Sequence, residues 1–300
     1  MNTLYEFTGL NTDLLIYLAI DISIAIVLLS TMKFISGLSA KVNANEELAK
    51  EDNFAFGISV AGSVAALGIV LTGAIFGENA TSYMMEAIGM CAYGVVGLIL
   101  IKIGRLIHDK FALNQIDKTE HILNKNITVG IVDAAGAIAT AIIIRAVLIW
   151  AHGLDVATFV AIISGFLVSQ AMLIFVTRIK EKQYARNNQN DCLQEAFANG
   201  QVALAIRYAG QVISTALAVT AASYFLSYNP DTLIFTLGGW FVFSIVMSVL
   251  VALLTTLAKK LILWGINLVE EVDHQHNIGV ASVEMAISIS IALILTGLMA

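Results

Sequence analysis

Apolar residues run through this chain in long stretches separated by shorter polar segments. A bilayer core roughly 30 Å thick needs about 20 mostly apolar residues in helical form to cross it. Eight stretches meet that length, near 10–32, 54–76, 83–107, 127–150, 156–177, 201–226, 232–257 and 278–299. Lipid offers no partner to a free backbone group, so a span is either a helix or part of a closed barrel. Barrel strands alternate every second residue, and these runs are continuously apolar. The predicted fold class is all-α, a polytopic membrane bundle of eight transmembrane helices.

Composition sharpens that picture. Hydrophobic residues make up 58% of the 300 and charged residues 13%, about half the charge of a soluble domain. Two cysteines exclude a disulfide scaffold, and the apolar content excludes disorder. With 16 basic against 22 acidic residues and no basic tract, nucleic acid is not an expected partner. The bilayer itself is.

The connections alternate in kind. Those at 77–82, 151–155 and 227–231 are short and hold no Lys or Arg. The other four, with the span ends that adjoin them, hold fourteen of the 16 basic residues, leaving only Arg145 and Arg207 away from those connections. By the positive-inside rule the four long connections face the cytoplasm and both termini lie outside. Residues 1–10 lack a basic n-region and a small-residue cleavage site, so the first span is expected to be retained. Pro230 is expected to help the turn between the sixth and seventh spans.

The chain also repeats itself. Without a gap, Asn53, Gly57, Ala61 and Gly62 align with Gln201, Ala205, Ala209 and Gly210; likewise Asn126, Gly130 and Asp133 align with Asn277, Ala281 and Glu284. This predicts two tandem four-helix units, 1–151 and 152–300, whose hairpins all start and end outside and are therefore parallel. Each second helix of a hairpin opens on an amide, with a small residue four positions on. An amide at a helix start caps free N–H groups. Small residues at four-residue spacing share a face and admit a close neighbour. Gly57, Ala61 and Ala65 form such a stripe, as do Ala205 and Ala209. A packing seam and a pore-lining surface both fit it.

Segments 47–62 and 120–130 carry a resemblance. Each is similar to the domain of unknown function 350 family, the YjfL-like bacterial inner-membrane proteins, whose members typically have four spans. Two copies in tandem would cover nearly the whole chain. The resemblance implies a plasma-membrane bacterial protein with no established reaction, and it suggests that single-copy relatives pair. The chain departs from the pattern at Gln201, Ala205 and Ala281.

Ionisable residues inside spans are costly and are default functional candidates. Asp133 and Glu284 stand seven residues past their amides and Arg207 six past Gln201, each roughly 10 Å into its helix. These three are expected to meet in one buried charge cluster. Arg207 paired with Asp133 would hold the halves together; alternatively Asp21, Asp133 and Glu284 would line an ion or proton path. Glu86 and Arg145 sit at the outer level, where they could pair or snorkel to the interface. Asp21 has no evident partner.

Enzyme motifs are missing: there is no zinc-protease, P-loop or nucleophile-elbow pattern, and no cofactor is expected. Asp273, His274 and His276 offer too few ligands for a tight metal site, and a solvated linker explains them. His108, His121 and His152 join no constellation. The leading expectation is a non-enzymatic, channel-like or transport-related inner-membrane protein acting as a homo-oligomer. The alternative is a non-conducting scaffold that recruits cytoplasmic protein partners, through Glu46 to Glu51 for example.

Overall fold

The computed structural model describes residues 12–75, 82–151 and 155–300. The expectations for residues 1–10, for His152 and for most of the 77–82 turn lie outside these. Among the described residues, eight helices are long and apolar enough to cross a membrane. The first half holds α1 (Thr12–Ala40), the short α2 (Ala44–Ala49), α3 (Phe54–Ile75), α4 (Tyr83–Ile107), the short α5 (Lys118–Leu123) and α6 (Ile127–Trp150). The second half holds α7 (Val156–Asn187), the short α8 (Leu193–Ala198), α9 (Val202–Ser223), α10 (Leu233–Ile262) and α11 (Ile278–Met299). Single π-type turns follow α4 at His108–Ala112 and precede α11 at Glu270–His274.

Helix starts agree with the sequence reading, while α1, α7 and α10 run past it at the long-connection end. The reason is propensity. Lys, Glu, Gln and Ala in 180–186 continue a helix readily although they end an apolar window.

The second helices of the hairpins form a row, α3–α6–α9–α11, in which consecutive members pack closely. Glycines set the spacing. A Cβ on Gly62 of α3 would lie 2.4 Å from Ala134 Cβ of α6, one on Gly130 would lie 2.7 Å from the Ala55 carbonyl oxygen, and one on Gly210 of α9 would lie 2.7 Å from Met285 Cα of α11. Only hydrogen fits there, which allows backbones to approach as in other small-residue membrane seams. Contacts climb in step. On α3 and α6, Ala55 meets Gly130, Gly62 meets Ala134 and Gly73 meets Arg145. Trp150 at the end of α6 donates to the Leu226 carbonyl just past α9, at 2.9 Å, and Arg207 and Thr296 tie the two ends of α9 and α11 together. Neighbours in the row thus run in the same direction.

The first helices form a second, staggered row. Helix α4 lies against α3 and α6, α7 against α6 and α9, and α10 against α9 and α11; α1 rests on α3 and α4. Burial follows, with α6 and α9 mostly enclosed and α1 peripheral.

Amides open the second helices as expected, with one exception. The side-chain oxygens of Asn53, Asn126 and Asn277 accept from Phe56, Val129 and Val280 N–H at 3.0, 3.2 and 3.1 Å. Gln201 makes no such cap, and its Oε1 is buried without a partner. The packing stripe also needs correction. Ala205, Gly210 and Ala281 are buried in seams, as are Gly62 and Gly130, but Ala61 and Ala65 are exposed and Gly57 is half-exposed. Rotation of α3 turns that stripe away from the row.

Candidate functional site

Charges gather near the long-connection end of each half, in two groups of four. In the first, Asp133 of α6 is 1% exposed. Its Oδ2 takes Arg105 Nη2 from α4 at 2.6 Å and the Ser59 hydroxyl of α3 at 2.5 Å. Its Oδ1 takes Lys118 Nζ at 2.8 Å. Lys118 opens α5 and folds back into the membrane-facing core, 5% exposed, where it also pairs with Asp109 of the π turn. Arg105 reaches Ser63 as well, at 2.8 Å. Two cations and two anions balance, and both carboxylate oxygens of Asp133 have partners.

In the second half Glu284 of α11 is 3% exposed. It accepts from Arg207 Nε of α9 at 2.6 Å and from Lys259 Nζ of α10 at 3.0 Å. Arg207 also pairs with Asp273 of the second π turn and donates to the Leu268 carbonyl at 2.7 Å. Asn188 donates to Asp273 at 3.1 Å. Again two cations balance two anions.

This arrangement overturns the expected single cluster. Arg207 meets Glu284 but not Asp133, which is served within its own half. The reason lies in the connections. Lys118 and Asp273, read as loop charges, turn inward and complete each quartet locally. Arg105, Lys118, Asp109, Lys259 and Asp273 were all missed as site residues, since basic residues near span ends read as topology signals. One usable signal was present: position six past the opening amide is Ser59 in one half and Arg207 in the other, and a charge appearing there calls for a compensating one nearby.

At the short-turn end the expected pair Glu86–Arg145 does not form. Arg145 Nε donates to Thr72 Oγ1 at 2.9 Å. Glu86 of α4 instead lies beside Asp21 of α1, carboxyl group near carboxyl group. Both line an open cavity of about 590 Å³ between α1, α3 and α4, with Tyr17, Thr72 and Met90. Asp21 Oδ1 is buried without a hydrogen-bond partner. Two facing carboxyl groups in a span need a proton or a cation between them, because adjacent like charges cannot both persist alone.

A neutral polar bridge joins the halves. Tyr208 OH of α9 meets His108 Nε2 at 2.8 Å and Thr177 Oγ1 at 3.3 Å. Asp273 faces Arg207, while His274 Nδ1 turns to Glu270 at 3.0 Å, so the Asp273–His274–His276 segment does not converge. Among the described residues no group of three His, Cys, Asp or Glu side chains is placed to hold a metal ion.

Neither a curated protein nor a solved structure matches the chain. A family model does, twice. Domain of Unknown Function (DUF350) covers residues 9–148 and again 153–299. Each match contains one four-helix unit with its own charge quartet, and the chain therefore belongs to the DUF350 family, as two copies in tandem.

Proposed function

We propose that this chain is a non-enzymatic, transport-related protein of the bacterial inner membrane, acting as an oligomer. Its long connections face the cytoplasm and both termini lie outside, since those connections hold nearly all the basic residues. The observation that carries the reading is the Asp21–Glu86 pair. Two carboxyl groups face one another within spans, beside an open cavity and with a buried unpartnered oxygen. Intramembrane ionisable groups left without a countercharge mark ion or proton pathways. The quartets around Asp133 and Glu284 serve a different end. Their charges are mutually neutralised and lock helices to connections, so the pathway reading moves from those two acids to Asp21 and Glu86.

Flux in liposomes holding the purified chain tests this, with proton- and alkali-cation-sensitive dyes. The reading expects flux in the parent and at least a tenfold loss in Glu86→Gln and Asp21→Asn, both staying monodisperse. Equal flux in parent and variants would remove the pair from the path. Silence in the parent across protons, monovalent cations and anions would favour the scaffold that recruits cytoplasmic partners.

A further inference from the structure

Within the chain one contact pattern occurs at successive seams, and among the described residues its next occurrence is missing at both ends of the row. Counting from the opening amide, the seam between α3 and α6 uses positions two and nine of the first helix and four and eight of the second. Ala55 meets Gly130, and Gly62 meets Ala134. At the seam between α9 and α11 the same positions are Ala203, Gly210, Ala281 and Met285, and Gly210 again meets Met285. The corresponding positions of α6 and α9 are Thr128, Ala135, Ala205 and Ala209, all buried. On the free face of α11 the first-helix positions are Gly279 and Ala286; on the free face of α3 the second-helix positions are Gly57 and Ala61. All four are small. Gly279, Ala286 and Ala61 are exposed, and the nearest side chain to a Cβ on Gly57 is Leu48, at 3.6 Å.

A second observation points the same way. Asn53 Nδ2 donates to the Ile122 and Leu123 carbonyls at the end of α5, at 3.1 and 3.3 Å. Asn126 Nδ2 donates to the Phe197 and Ala198 carbonyls at the end of α8, at 3.2 and 2.8 Å. These two asparagines thus each hold the short helix of the next hairpin, while Gln201 at the third seam makes no side-chain cap. Asn277 has the same cap, and its Nδ2 bonds its own Glu271 at 2.8 Å as Asn53 bonds Glu47 at 3.0 Å, but among the described residues it holds no short helix of another hairpin. Conversely α2 is the short helix whose terminal carbonyls take no amide side chain among the described residues. It has no buried residue, whereas α5 and α8 do. Finally α4, α7 and α10 each bridge two helices of the inner row, while α1 rests on α3 alone among them.

We propose that the occupant of both free faces is a second copy of this chain. Helix α11 of one copy packs on α3 of the next, Ala286 against Ala61 and Gly279 against Gly57. Asn277 holds the α2 end at the Ala49 and Lys50 carbonyls, and α1 of the next copy closes over α11. The interface continues the three internal seams, is head-to-tail, and propagates until the copies close a ring. It rests on the oligomeric part of the reading above and not on transport.

Cysteine cross-linking of the full chain in membranes tests it, in a Cys91→Ser, Cys192→Ser background. Ala286→Cys and Ala61→Cys carried on differently tagged copies are expected to give a two-chain band on oxidation. One chain bearing both is expected to give a ladder, and Asn277→Ala or Gly279→Leu to cut the yield several-fold. Each single variant alone is expected to give none. Absence of the mixed band while both thiols react with a maleimide would overturn the proposal, as would an Ala61→Cys dimer with itself, which marks a two-fold contact. Lost cross-links with intact flux refute this interface alone; cross-links without flux refute transport alone.

Discussion

Ser59 and Arg207 occupy the same position in the two halves, six residues past the residue that opens the helix, and each bonds the buried acid of the fourth helix of its half. Ser59 meets Asp133 at 2.5 Å and Arg207 meets Glu284 at 2.6 Å. The first half offers a hydroxyl there and brings a cation, Lys118, from the connection; the second offers a cation and brings an anion, Asp273. Duplication has kept the acid and a neutral total while redistributing the charges among elements.

The exchange sets a double-mutant cycle. Arg207→Ala leaves Asp273 buried against Asn188 and Glu284 with Lys259 alone, and is expected to cost roughly 3–5 kcal/mol. Arg207 and Asp273 are expected to couple by about 0.5–3 kcal/mol, whereas Arg207 and Asp133, which share no partner, are expected to be additive within about 0.5 kcal/mol. Thermal unfolding of the parent, the three single and the two double variants in one detergent measures both. Strong Arg207–Asp133 coupling would contradict the two-quartet arrangement.

Two glycines of α3 separate close approach from free space. A Cβ on Gly62 would meet Ala134 Cβ at 2.4 Å, while one on Gly68 meets nothing within 4 Å. Gly62→Ala is therefore expected to destabilise by about 1–3 kcal/mol through forced displacement of α6. Gly68→Ala is expected to be neutral or to stabilise by up to about 1 kcal/mol, because alanine favours the helix. Midpoints of unfolding compare them.

Tyr208→Phe tests the bridge between the halves. It strips His108 Nε2 of its partner, and His108 Nδ1 already lacks one. A loss of about 1–3 kcal/mol is expected, and His108→Phe added to it is expected to recover part of that loss by removing the unsatisfied ring. No recovery in the double variant would show that the tyrosine acts through packing alone.

One cap responds to pH. Hydrogen bonding from the Thr158 N–H to Asp155, at 2.7 Å, holds the Asp155 carboxyl below its ordinary range. A depressed carboxylate stabilises the helix start above the unfolded-state value and loses that contribution as pH falls through the folded one. Amide exchange at 157–159, corrected for intrinsic rates, is expected to accelerate at acid pH in the parent. Asp155→Asn is expected to abolish that dependence.

Much of this architecture was legible in one dimension. Span number, helix starts, tandem duplication and the charge asymmetry of the connections depend on run length and residue type, which bilayer thickness and backbone desolvation read directly. The opening amides gave the registers of the second helices, and so the matched depths of Asp133 and Glu284. Their partners were not legible. Which charges meet depends on how each helix is rotated about its axis and on whether a connection folds inward, as at Lys118 and Asp273. Asp21 and Glu86 were visible as separate residues, but their facing each other comes from the packing of α1 against α4. Likewise the equal spacing of Gly57 and Ala61 with Gly130 and Ala134 was plain in the sequence. That one pair is buried and the other open was decided by the row itself, because a row of four parallel helices has three seams inside and a free face at each end.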